Sequence, residues 1–438
     1  MNNAETDSSG KRKKVLIISY YWPPAGGISP LRILKFVKYL RKFNWEPIVC
    51  VPVKADYLYL DSDNLKDIPD DLKILKTKIV EPFKLFKLLS GRKKNDTNNP
   101  LYGNNTKKSI IDNFAVWVRG NFFIPDARCL WIKPTVKFLS EFIKNNPVDA
   151  ILTDGPPHTN TVIGMRLSEK FNIPWLADFQ DPWTQVDYYK LFKLTKFADK
   201  KHRKTEQKVF KIASKITIAS PSWLKDLESI GARNISVIYY GYDEDDFKDI
   251  DYQENDDFII SHTGILSQDR NPDIFFKVLK NICDENKEFK QKLKLIFAGP
   301  VDESVRESIK KNGLQNNYIE KGNIPRKDAL SLNISSKILL LPVNKAENAK
   351  GRIPGKLYEY LRARVPILCY GPQDGDVADI IRKTNSGKIF KYSNYQDVRQ
   401  FIEDNFNHFK KNNITDISEF TNENQTKLIA EYLDEITN

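Results

Sequence analysis

The sequence predicts an α/β protein built from two Rossmann-like, doubly wound parallel-sheet domains that face each other across a cleft. From Lys13 onward, short β-branched runs alternate with longer segments of helical periodicity, as in a doubly wound parallel sheet. The same alternation restarts near residue 258. Between the halves lies GYDEDDFKDIDYQENDD, an acidic and weakly hydrophobic stretch with the composition of a linker. A chain of 438 residues is long enough for two such domains.

The N-terminal half opens with a strand and an amphipathic helix. In that helix, Ile33, Val37 and Leu40 recur at helical spacing, with Lys and Arg between them. The buried strands predicted in this half are Val15–Ser19, Ile48–Val51, Asp149–Thr153, Pro174–Ala177, Lys215–Ala219 and Ser236–Tyr240.

The C-terminal half repeats the pattern. Its predicted strands are Phe258–Thr263, Lys294–Ala298, Ile338–Leu341 and Pro366–Cys369, with helices at Pro272–Cys283, Val305–Lys311 and Gly355–Arg364. The predicted division is a disordered tail at 1–12, an N-terminal domain at 13–242, a linker at 243–257, a C-terminal domain at 258–415, and a helix at 416–438 that packs back on the N-terminal domain. The polar residues 90–113 are expected to form a flexible excursion.

Composition limits the class of protein and its compartment. The net charge of +12 suits phosphates, nucleic acid or an anionic membrane surface, without choosing between them. The four cysteines are scattered and form no CxxC pair, which argues against a disulfide framework or a zinc site. The polar N-terminus lacks a signal peptide's apolar stretch, and no window reaches the ~18–20 apolar residues that span a bilayer. We therefore expect a cytoplasmic protein, or one bound to the membrane from that side.

The stretch PPAGG at 23–27 lies where the first strand passes into the first helix, the usual phosphate-binding place in such folds. Glycine permits a positive φ and close approach of backbone to a ligand. Gly26 and Gly27 do not complete a GxGxxG motif, which disfavours a nicotinamide or flavin enzyme. Ser29 is predicted as the N-cap of the helix and Pro30 as its first residue. A tight turn without a ligand is the alternative.

Three further segments place polar residues next to predicted strands. DAILTDGPPHTNTVIG (149–164) and PWLADFQDPW (174–183) each put polar groups at the end of a strand. In GRIPGKLYEYLRARVPIL (351–368), Lys356 and Glu359 share one helical face just before a buried strand. Because ligands of open α/β sheets bind beyond the carboxyl ends of the strands, the first two segments point to a site there.

Eight segments of the chain carry a family resemblance. They are SYYWPPAGGISPLR, IPDARCLW, LTDGPPHTN, ADFQDPW, GYDEDDF, HTGILSQDRNPD, LIFAGP and PGKLYEYL. In this order, which spans nearly the whole chain, they resemble glycosyltransferases of the GT-B fold, specifically the large retaining family 4 and its relatives in bacterial surface-polysaccharide assembly. The match is specific for fold and reaction class, and uninformative about the identity of either sugar.

The resemblance implies a donor site formed mainly by the C-terminal domain. Arg270 and Lys356 match the basic pair that holds the donor diphosphate, and Glu359 matches the carboxylate that accepts hydrogen bonds from the ribose hydroxyls. By position, Gly26 and Gly27 approach the diphosphate and the reacting sugar. The complete set of implied donor-binding residues is Gly26, Gly27, Arg270, Gly299, Lys356, Leu357 and Glu359. An ordinary surface ion pair between Lys356 and Glu359, worth ~0.2–0.5 kcal/mol, is the alternative.

The implied catalytic residues are His158 and Asp181. In similar enzymes, a histidine from this part of the N-terminal domain contacts the donor sugar; the alternative for His158 is to hold its own loop together by hydrogen bonds. Asp178 and Asp181 are candidates for binding acceptor hydroxyls or for capping the next element, and a site role is favoured for Asp181. For Asp126, Arg128 and Trp131, an internal salt bridge with a core tryptophan is favoured over shaping the acceptor side.

The sequence departs from the family pattern in two places. Many members carry two glutamates separated by seven residues, but the position of the first is Gly351 here. A backbone group or Glu347 would have to replace it. Gln180 stands where relatives often show arginine in a DFRDPW string.

The resemblance implies a retaining transferase that takes a sugar from a nucleoside-diphosphate sugar and passes it to a glycan or lipid-linked acceptor. No cofactor and no metal are expected, because no convincing DxD motif is present and Arg270 and Lys356 supply positive charge. A sugar-nucleotide epimerase of GT-B architecture is the enzymatic alternative, and a basic nucleic-acid-binding module is a third hypothesis. The segments 79–94 and 188–215 mix Lys with Phe, Leu and Tyr, which favours contact with an anionic membrane over nucleic acid.

Overall fold

The structure, a computed structural model, describes residues 12–57, 60–81, 110–250, 252, 256–412 and 415–438. The chain forms two compact units. The N-terminal unit comprises residues up to 219 together with 223–238 and 422–438, and the C-terminal unit comprises 220–222 and 239–421. Residues 1–11 of the predicted tail and most of the predicted excursion at 90–113 lie outside the described residues.

The N-terminal unit contains a seven-stranded sheet in which all strands are parallel, in the order β3-β2-β1-β4-β5-β6-β7. Its strands are β1 Lys13–Ile18, β2 Trp45–Val53, β3 Lys73–Lys78, β4 Ala150–Gly155, β5 Trp175–Phe179, β6 Lys215–Ile218 and β7 Ile235–Val237. Its helices are α1 Ile28–Leu40, α2 Ile110–Phe122, α3 Ile132–Asn145, α4 His158–Phe171, α5 Lys196–Ile212, α14 Asn422–Thr437 and, from residue 223 onward, α6 Pro221–Ser229. The edge strand β3, with sequence KILKTK, was not predicted, since its lysines hide the hydrophobic alternation.

The C-terminal unit contains a six-stranded sheet, also entirely parallel, in the order β10-β9-β8-β11-β12-β13. Its strands are β8 Phe258–Thr263, β9 Leu293–Ala298, β10 Tyr318–Gly322, β11 Ile338–Pro342, β12 Ile367–Tyr370 and β13 Gly387–Phe390. Its helices are α7 Asp273–Glu285, α8 Lys287–Lys292, α9 Glu303–Lys311, α10 Arg326–Ser335, α11 Lys356–Ala363, α12 Asp376–Thr384 and α13 Gln396–Asn407. The edge strands β10 and β13 were not predicted.

Each sheet is buried on both faces, which explains why the central strands are continuous apolar runs. On β1, Leu16 and Ile18 belong to one hydrophobic cluster, whereas Val15 and Ile17 belong to another. On β11, Leu340 faces one cluster and the neighbouring residues on either side face a second. Side chains of successive strand residues point to opposite faces, so helices must cover both sides of each sheet.

The division between the units differs from the predicted linker at 243–257. The chain passes from one unit to the other after Ile238 and returns at Asn422. The acidic segment lies within the C-terminal unit because Phe247 is buried in its core and Arg362 donates to Glu244 at 2.8 Å. The final helix, α14, packs against α1 through a shared apolar cluster that includes Ile429.

Across the described ranges, no helix combines the length and apolar character needed to cross a membrane.

Candidate functional site

In the C-terminal unit, two glycines bring the ends of β8 and β9 into contact. Gly264 has φ +115° and Gly299 has φ +120°, a conformation that L side chains rarely adopt. A Cβ atom on Gly299 would overlap the carbonyl group of Gly264, and a Cβ atom on Gly264 would overlap Nζ of Lys356. The lysine therefore lies against a bare backbone surface that only glycine can provide. Of these residues, Gly299 and Lys356 were predicted as donor-binding.

Lys356 is the first residue of α11, and its Nζ lies 3.3 Å from Nε2 of His262. Burial and, second to it, the positive charge of Arg270 lower the pKa of Lys356 to about 7, although the charge of Glu359 opposes them. Arg270 ends a short 3-10 turn at Gln268–Arg270 and is partly exposed. The two predicted diphosphate-binding cations are therefore close enough to repel each other.

His262 lies near the end of β8 and is almost completely buried. Its Nδ1 is 2.8 Å from the backbone oxygen of Leu340. Burial, followed by the charge of Lys356, holds the pKa of His262 well below its usual range, so the imidazole is neutral at physiological pH. His262 is the first residue of HTGILSQDRNPD, one of the segments that carry the resemblance, but no role was predicted for it.

Glu359 forms an ion pair with Arg326, with Nη1 and Oε1 separated by 2.8 Å. Nη2 of the same arginine lies 3.0 Å from Oδ2 of Asp246. The two carboxylates raise the pKa of Arg326, although burial opposes them. The alternative of a surface ion pair between Lys356 and Glu359 is not what the structure shows, because Glu359 pairs with Arg326 and Nζ of Lys356 points to His262. Arg326 was not predicted, since 33 positions separate it from Glu359.

The side chain of Leu357 is fully buried in the core, and its amide N–H donates to the oxygen of Pro354 at 2.9 Å. Any role of this residue toward a ligand would therefore fall to its backbone. Gly351 ends a 3-10 turn, and Glu347, considered as a replacement for the absent glutamate, is exposed.

In the N-terminal unit, the glycine-rich turn ends directly at α1. Gly27 has φ +99° and ψ −177°, and a Cβ atom on it would meet nothing within 4 Å. Gly26 precedes it in the same partly exposed loop. The prediction of Ser29 as the N-cap is wrong: α1 begins at Ile28, Gly27 occupies the N-cap position, and Ser29 and Pro30 lie inside the first turn.

His158 is the first residue of α4 and is only 6% exposed. Its ring stacks on Trp183, with centroids 4.5 Å apart and an angle of 6° between the planes. Nδ1 lies 3.5 Å from Oγ1 of Thr161, and a Cβ atom on Gly155 would lie 2.8 Å from the same nitrogen. Burial lowers the pKa of His158 to about 3, so the ring stays neutral. These contacts hold the ring of His158 in place within its loop; its contact with the donor sugar stays a prediction.

Asp181 lies in the loop after β5 and is partly exposed. The preceding Gln180 is buried and donates from Nε2 to Oδ2 of Asp154 at 3.3 Å. Asp154 also accepts from Ser19 and Asn160, and burial together with the charge of Asp178 raises its pKa to about 8. Gln180 stands where relatives often have arginine, and it donates a hydrogen bond to Asp154. Because the pKa of Asp154 is about 8, that carboxyl group is largely protonated at neutral pH.

Asp178 is buried within the N-terminal unit. Its carboxylate accepts hydrogen bonds from Nε of Arg32 at 2.7 Å and from Nη2 at 2.8 Å. Both side chains are completely inaccessible to solvent. Thr217 donates to the same carboxylate at 2.6 Å, and Arg32 also donates to the oxygen of Ile238 at 2.9 Å. Such a satisfied bidentate pair ties α1 to the sheet.

The IPDARCLW segment is also structural. Asp126 accepts from the amide N–H and hydroxyl of Thr159, both at 2.8 Å, and so fixes the first turn of α4. The buried Trp131 donates to Thr77 at 2.8 Å. The guanidinium of Arg128 lies over the ring of Tyr20, and the expected internal salt bridge is a loose one to Glu81, with 3.9 Å between the charged atoms.

The two doubly wound parallel sheets and their order define a GT-B architecture. Within the C-terminal unit, residues 243–415 match the family described as "Glycosyl transferases group 1". No curated protein matches the sequence.

Several solved structures are similar to this chain. Sucrose-phosphate synthase from Thermosynechococcus elongatus has 12% identity and a TM-score of 0.56, covering 98% of this chain and 95% of its own. A mutant of TarM from S. aureus, solved with fondaparinux, α-GlcNAc-glycerol and UDP, has 12% identity and a TM-score of 0.55, covering 97% of each chain. UDP-GlcNAc 2-epimerase from Methanocaldococcus jannaschii has 12% identity and a TM-score of 0.52, covering 96% of this chain and 99% of its own. At 12% identity, the similarity to these structures establishes the fold alone.

Proposed function

We propose that this protein is a retaining, metal-independent glycosyltransferase that moves a sugar from a nucleoside-diphosphate sugar to a glycan or lipid-linked acceptor in cell-surface polysaccharide synthesis. The observation that carries the proposal is the placement of Lys356 and Arg270 beside the glycine-lined ends of β8 and β9. This arrangement lies in the segment that matches the group 1 glycosyl transferases. The similar TarM structure was solved with UDP, which supports a nucleoside-diphosphate ligand for the same fold.

Two neighbouring cations are unfavourable unless an anion joins them. After burial, the charge of Arg270 is the second cause that lowers the pKa of Lys356, as expected for two cations that repel each other. A diphosphate placed between the two would reverse that penalty, because an opposite charge within ~4–6 Å favours the charged form of the lysine. Charge-assisted hydrogen bonds to phosphate are also about twice as strong as neutral ones.

The same groups suit the transferase reaction. When the glycosidic bond to the diphosphate breaks, negative charge builds on the leaving phosphate oxygen, and fixed cations stabilise that charge in the transition state. In a retaining transfer, the acceptor hydroxyl attacks from the face of the leaving group, and its proton passes to the departing phosphate oxygen. Glu359, held by Arg326, would accept hydrogen bonds from the ribose, and the N-terminal unit would hold the acceptor.

The direct test is a thermal-shift screen of nucleoside-diphosphate sugars, followed by transfer assays with the stabilising donor. A donor that binds only the folded state raises Tm by mass action. We expect one donor class to raise Tm of the wild type and to have little effect on Lys356→Met. If no nucleoside-diphosphate sugar stabilises the wild type, or if Lys356→Met responds equally, the donor site is not where we place it.

A sugar-nucleotide epimerase is a second candidate, because an epimerase is among the similar structures. Incubation of the stabilising nucleotide sugar without any acceptor separates the two activities. An epimerase interconverts two free sugar nucleotides, whereas a transferase leaves the sugar nucleotide unchanged or hydrolyses it slowly. Accumulation of an epimeric sugar nucleotide would replace the transferase proposal.

We further propose that the protein is cytoplasmic and binds the anionic inner surface of the membrane, where lipid-linked acceptors would be presented. One face of the N-terminal unit supports this, and we refer to it as the basic face. It consists of exposed cations on α3, α4 and α5: Lys133, Lys137, Lys144, Arg166, Lys170, Lys201, Lys204 and Lys208. Arg166 lines both of the grooves on this face, whose volumes are about 360 and 350 Å³.

The basic face combines charge with apolar surface. The floor of the second groove includes Ile132, Val162 and Met165. A cationic rim around an apolar floor suits a phospholipid surface better than nucleic acid, which would need stacking platforms for bases. Part of the predicted membrane contact, Lys84, Lys87, Lys93 and Lys94, lies outside the described residues.

Vesicle binding tests this proposal. Replacing Arg166, Lys201 and Lys204 with Gln should weaken binding to anionic vesicles by ~1 kcal/mol per cation, and added salt should weaken binding of the wild type. The matched control replaces three exposed lysines of the C-terminal unit, Lys310, Lys311 and Lys321, with Gln. Equal binding of the wild type to neutral and anionic vesicles would contradict a role for the basic face.

A further inference from the structure

The contact between Lys356 and His262 has a defined direction. A backbone carbonyl can only accept a hydrogen bond, so the 2.8 Å contact with the oxygen of Leu340 requires the hydrogen of His262 to be on Nδ1. The neutral imidazole then presents a lone pair on Nε2. Lys356 Nζ, 3.3 Å away, donates to it.

The hydrogen bond between Nζ of Lys356 and Nε2 of His262 contains one proton, and this proton belongs to the lysine. His262 is enclosed, and the neighbouring ammonium charge further disfavours an imidazolium. The charged or titratable groups that act on Lys356 are His262 from β8, Arg270 from the turn after β8, and Glu359 from its own helix. The Glu359 carboxylate is itself neutralised in part by Arg326.

A neutral acceptor has an advantage over a carboxylate at this position. A carboxylate would form an ion pair with Lys356 and compete with an incoming diphosphate. An imidazole fixes the direction of Nζ through a hydrogen bond and leaves the net charge of the ammonium available. Gly264 completes the arrangement, because any side chain there would displace Nζ from this position.

We infer that His262 is a positioning residue that holds Lys356 as a directed ammonium group for a nucleoside diphosphate. The inference rests on the proposed function for the identity of the ligand. It differs from the assignment of Lys356 itself, because it gives a role to a residue that touches no ligand and that acts through the lysine.

The test compares the wild type with His262→Phe and His262→Gln. Phenylalanine keeps a planar ring but removes the acceptor, whereas the Gln amide oxygen can occupy the place of Nε2 and accept from Lys356. Binding of UDP, GDP and ADP is measured by calorimetry from pH 6 to pH 9, with Tm measured as a check on folding. Whichever diphosphate binds the wild type serves as the probe for the variants.

We expect the probe to bind the wild type most tightly below pH 7 and progressively less tightly above it, as Lys356 loses its proton. His262→Phe should bind about tenfold more weakly, and its pH midpoint should move to lower pH, because the ammonium has lost an acceptor. His262→Gln should recover most of the affinity and the wild-type midpoint. Unchanged affinity and midpoint in His262→Phe, or equal losses in both variants, would overturn the inference.

A second readout separates this inference from the proposed function. The rate of acetylation of Lys356 by acetic anhydride, followed by mass spectrometry across the same pH range, reports the protonation of its amine without any ligand. If no diphosphate binds the wild type, the proposed function fails. The inference then stands only if His262→Phe moves the acetylation midpoint to lower pH and His262→Gln restores it; an unmoved midpoint overturns it.

Discussion

Replacement of Lys356 by methionine should make the protein more stable at acidic and neutral pH while removing its donor binding. Methionine fills a similar volume and needs no proton. Burial and Arg270 lower the pKa of Lys356 from 10.5 to about 7, a shift of about 3.5. At ~1.36 kcal/mol per pKa unit, holding the lysine charged in the folded state costs ~5 kcal/mol.

The direction of the pH dependence follows from proton binding. Because the folded-state pKa lies below the unfolded value, the unfolded chain binds more protons between pH ~7 and ~10.5. The wild-type free energy of unfolding therefore rises with pH through this window and carries the full penalty below pH 7. Methionine removes the penalty but leaves Nε2 of His262 without its donor, at a cost of ~1–2 kcal/mol.

The net gain is ~3 kcal/mol at pH 6, falling to zero or below near pH 10. For a unit of this size, each kcal/mol raises Tm by ~2–4 °C, so calorimetry at pH 6 should show an increase of ~6–12 °C in the transition of the C-terminal unit. The control is Lys311→Met, an exposed lysine at the end of α9, which should change Tm little at any pH. A Tm for Lys356→Met that is lower than the wild type at pH 6, or that is raised equally at pH 6 and pH 10, would refute the reasoning.

Four further predictions follow from individual contacts. Arg32→Met should lower the free energy of unfolding by ~3–5 kcal/mol, because it leaves Asp178 buried and unpaired. Adding Asp178→Asn to this variant should recover part of the lost stability. Equal stability of the single and the double variant in denaturant titrations would contradict a buried pair. Glu359→Gln should weaken donor binding in calorimetry with little change in Tm, since Gln keeps one hydrogen bond to Arg326; unchanged donor affinity would return Glu359 to a structural role. Gly27→Val should lower the free energy of unfolding by ~1–3 kcal/mol, because valine is strained at the positive φ of this position. It should reduce the transfer rate far more than the affinity for nucleotide. A near-normal transfer rate would mean that the PPAGG turn has no role in the reaction. Transfer activity should survive EDTA, and loss with rescue by Mg²⁺ or Mn²⁺ would contradict diphosphate binding by side-chain cations alone.

The central strands of both sheets could be predicted because they are buried on both faces and therefore read as apolar runs. The edge strands β3, β10 and β13 could not. Their side chains are more exposed than those of the central strands, so β3 has Lys at three of six positions and β10 contains Glu320 and Lys321. Their place in the sheet depends on pairing with β2, β9 and β12, which a local pattern does not contain.

Within the candidate site, the sequence identified the motifs but not which of their residues contact each other. Lys356, Glu359 and Gly299 stand in segments that resemble a family. His262 contacts Lys356 across 94 positions, and its identity as a partner depends on β8 and α11 meeting in the fold. Arg326 likewise reaches Glu359 from another helix.

The packing contacts of His158 could not be predicted from its motif. A histidine after a strand, within a Gly-Pro-Pro stretch, has the position of a site residue. The structure places its ring against Trp183, a contact that depends on the packing of two separate loops. The same holds for Asp178: its position at the end of β5 follows from the sequence, whereas its ion pair with the fully buried Arg32 does not.

The most direct test of the proposed function is a transfer assay with the nucleoside-diphosphate sugar that stabilises the protein, carrying a label on the sugar, and membrane lipids and glycans as acceptors. The wild type is compared with Lys356→Met and with Lys311→Met at pH 7 in the presence of EDTA. We predict that the label moves to an acceptor with the wild type and with Lys311→Met, with the anomeric configuration of the donor retained in the product, and that Lys356→Met is folded but inactive. Full transfer by Lys356→Met, or a labelled sugar that stays on the nucleotide in every reaction, would contradict the account.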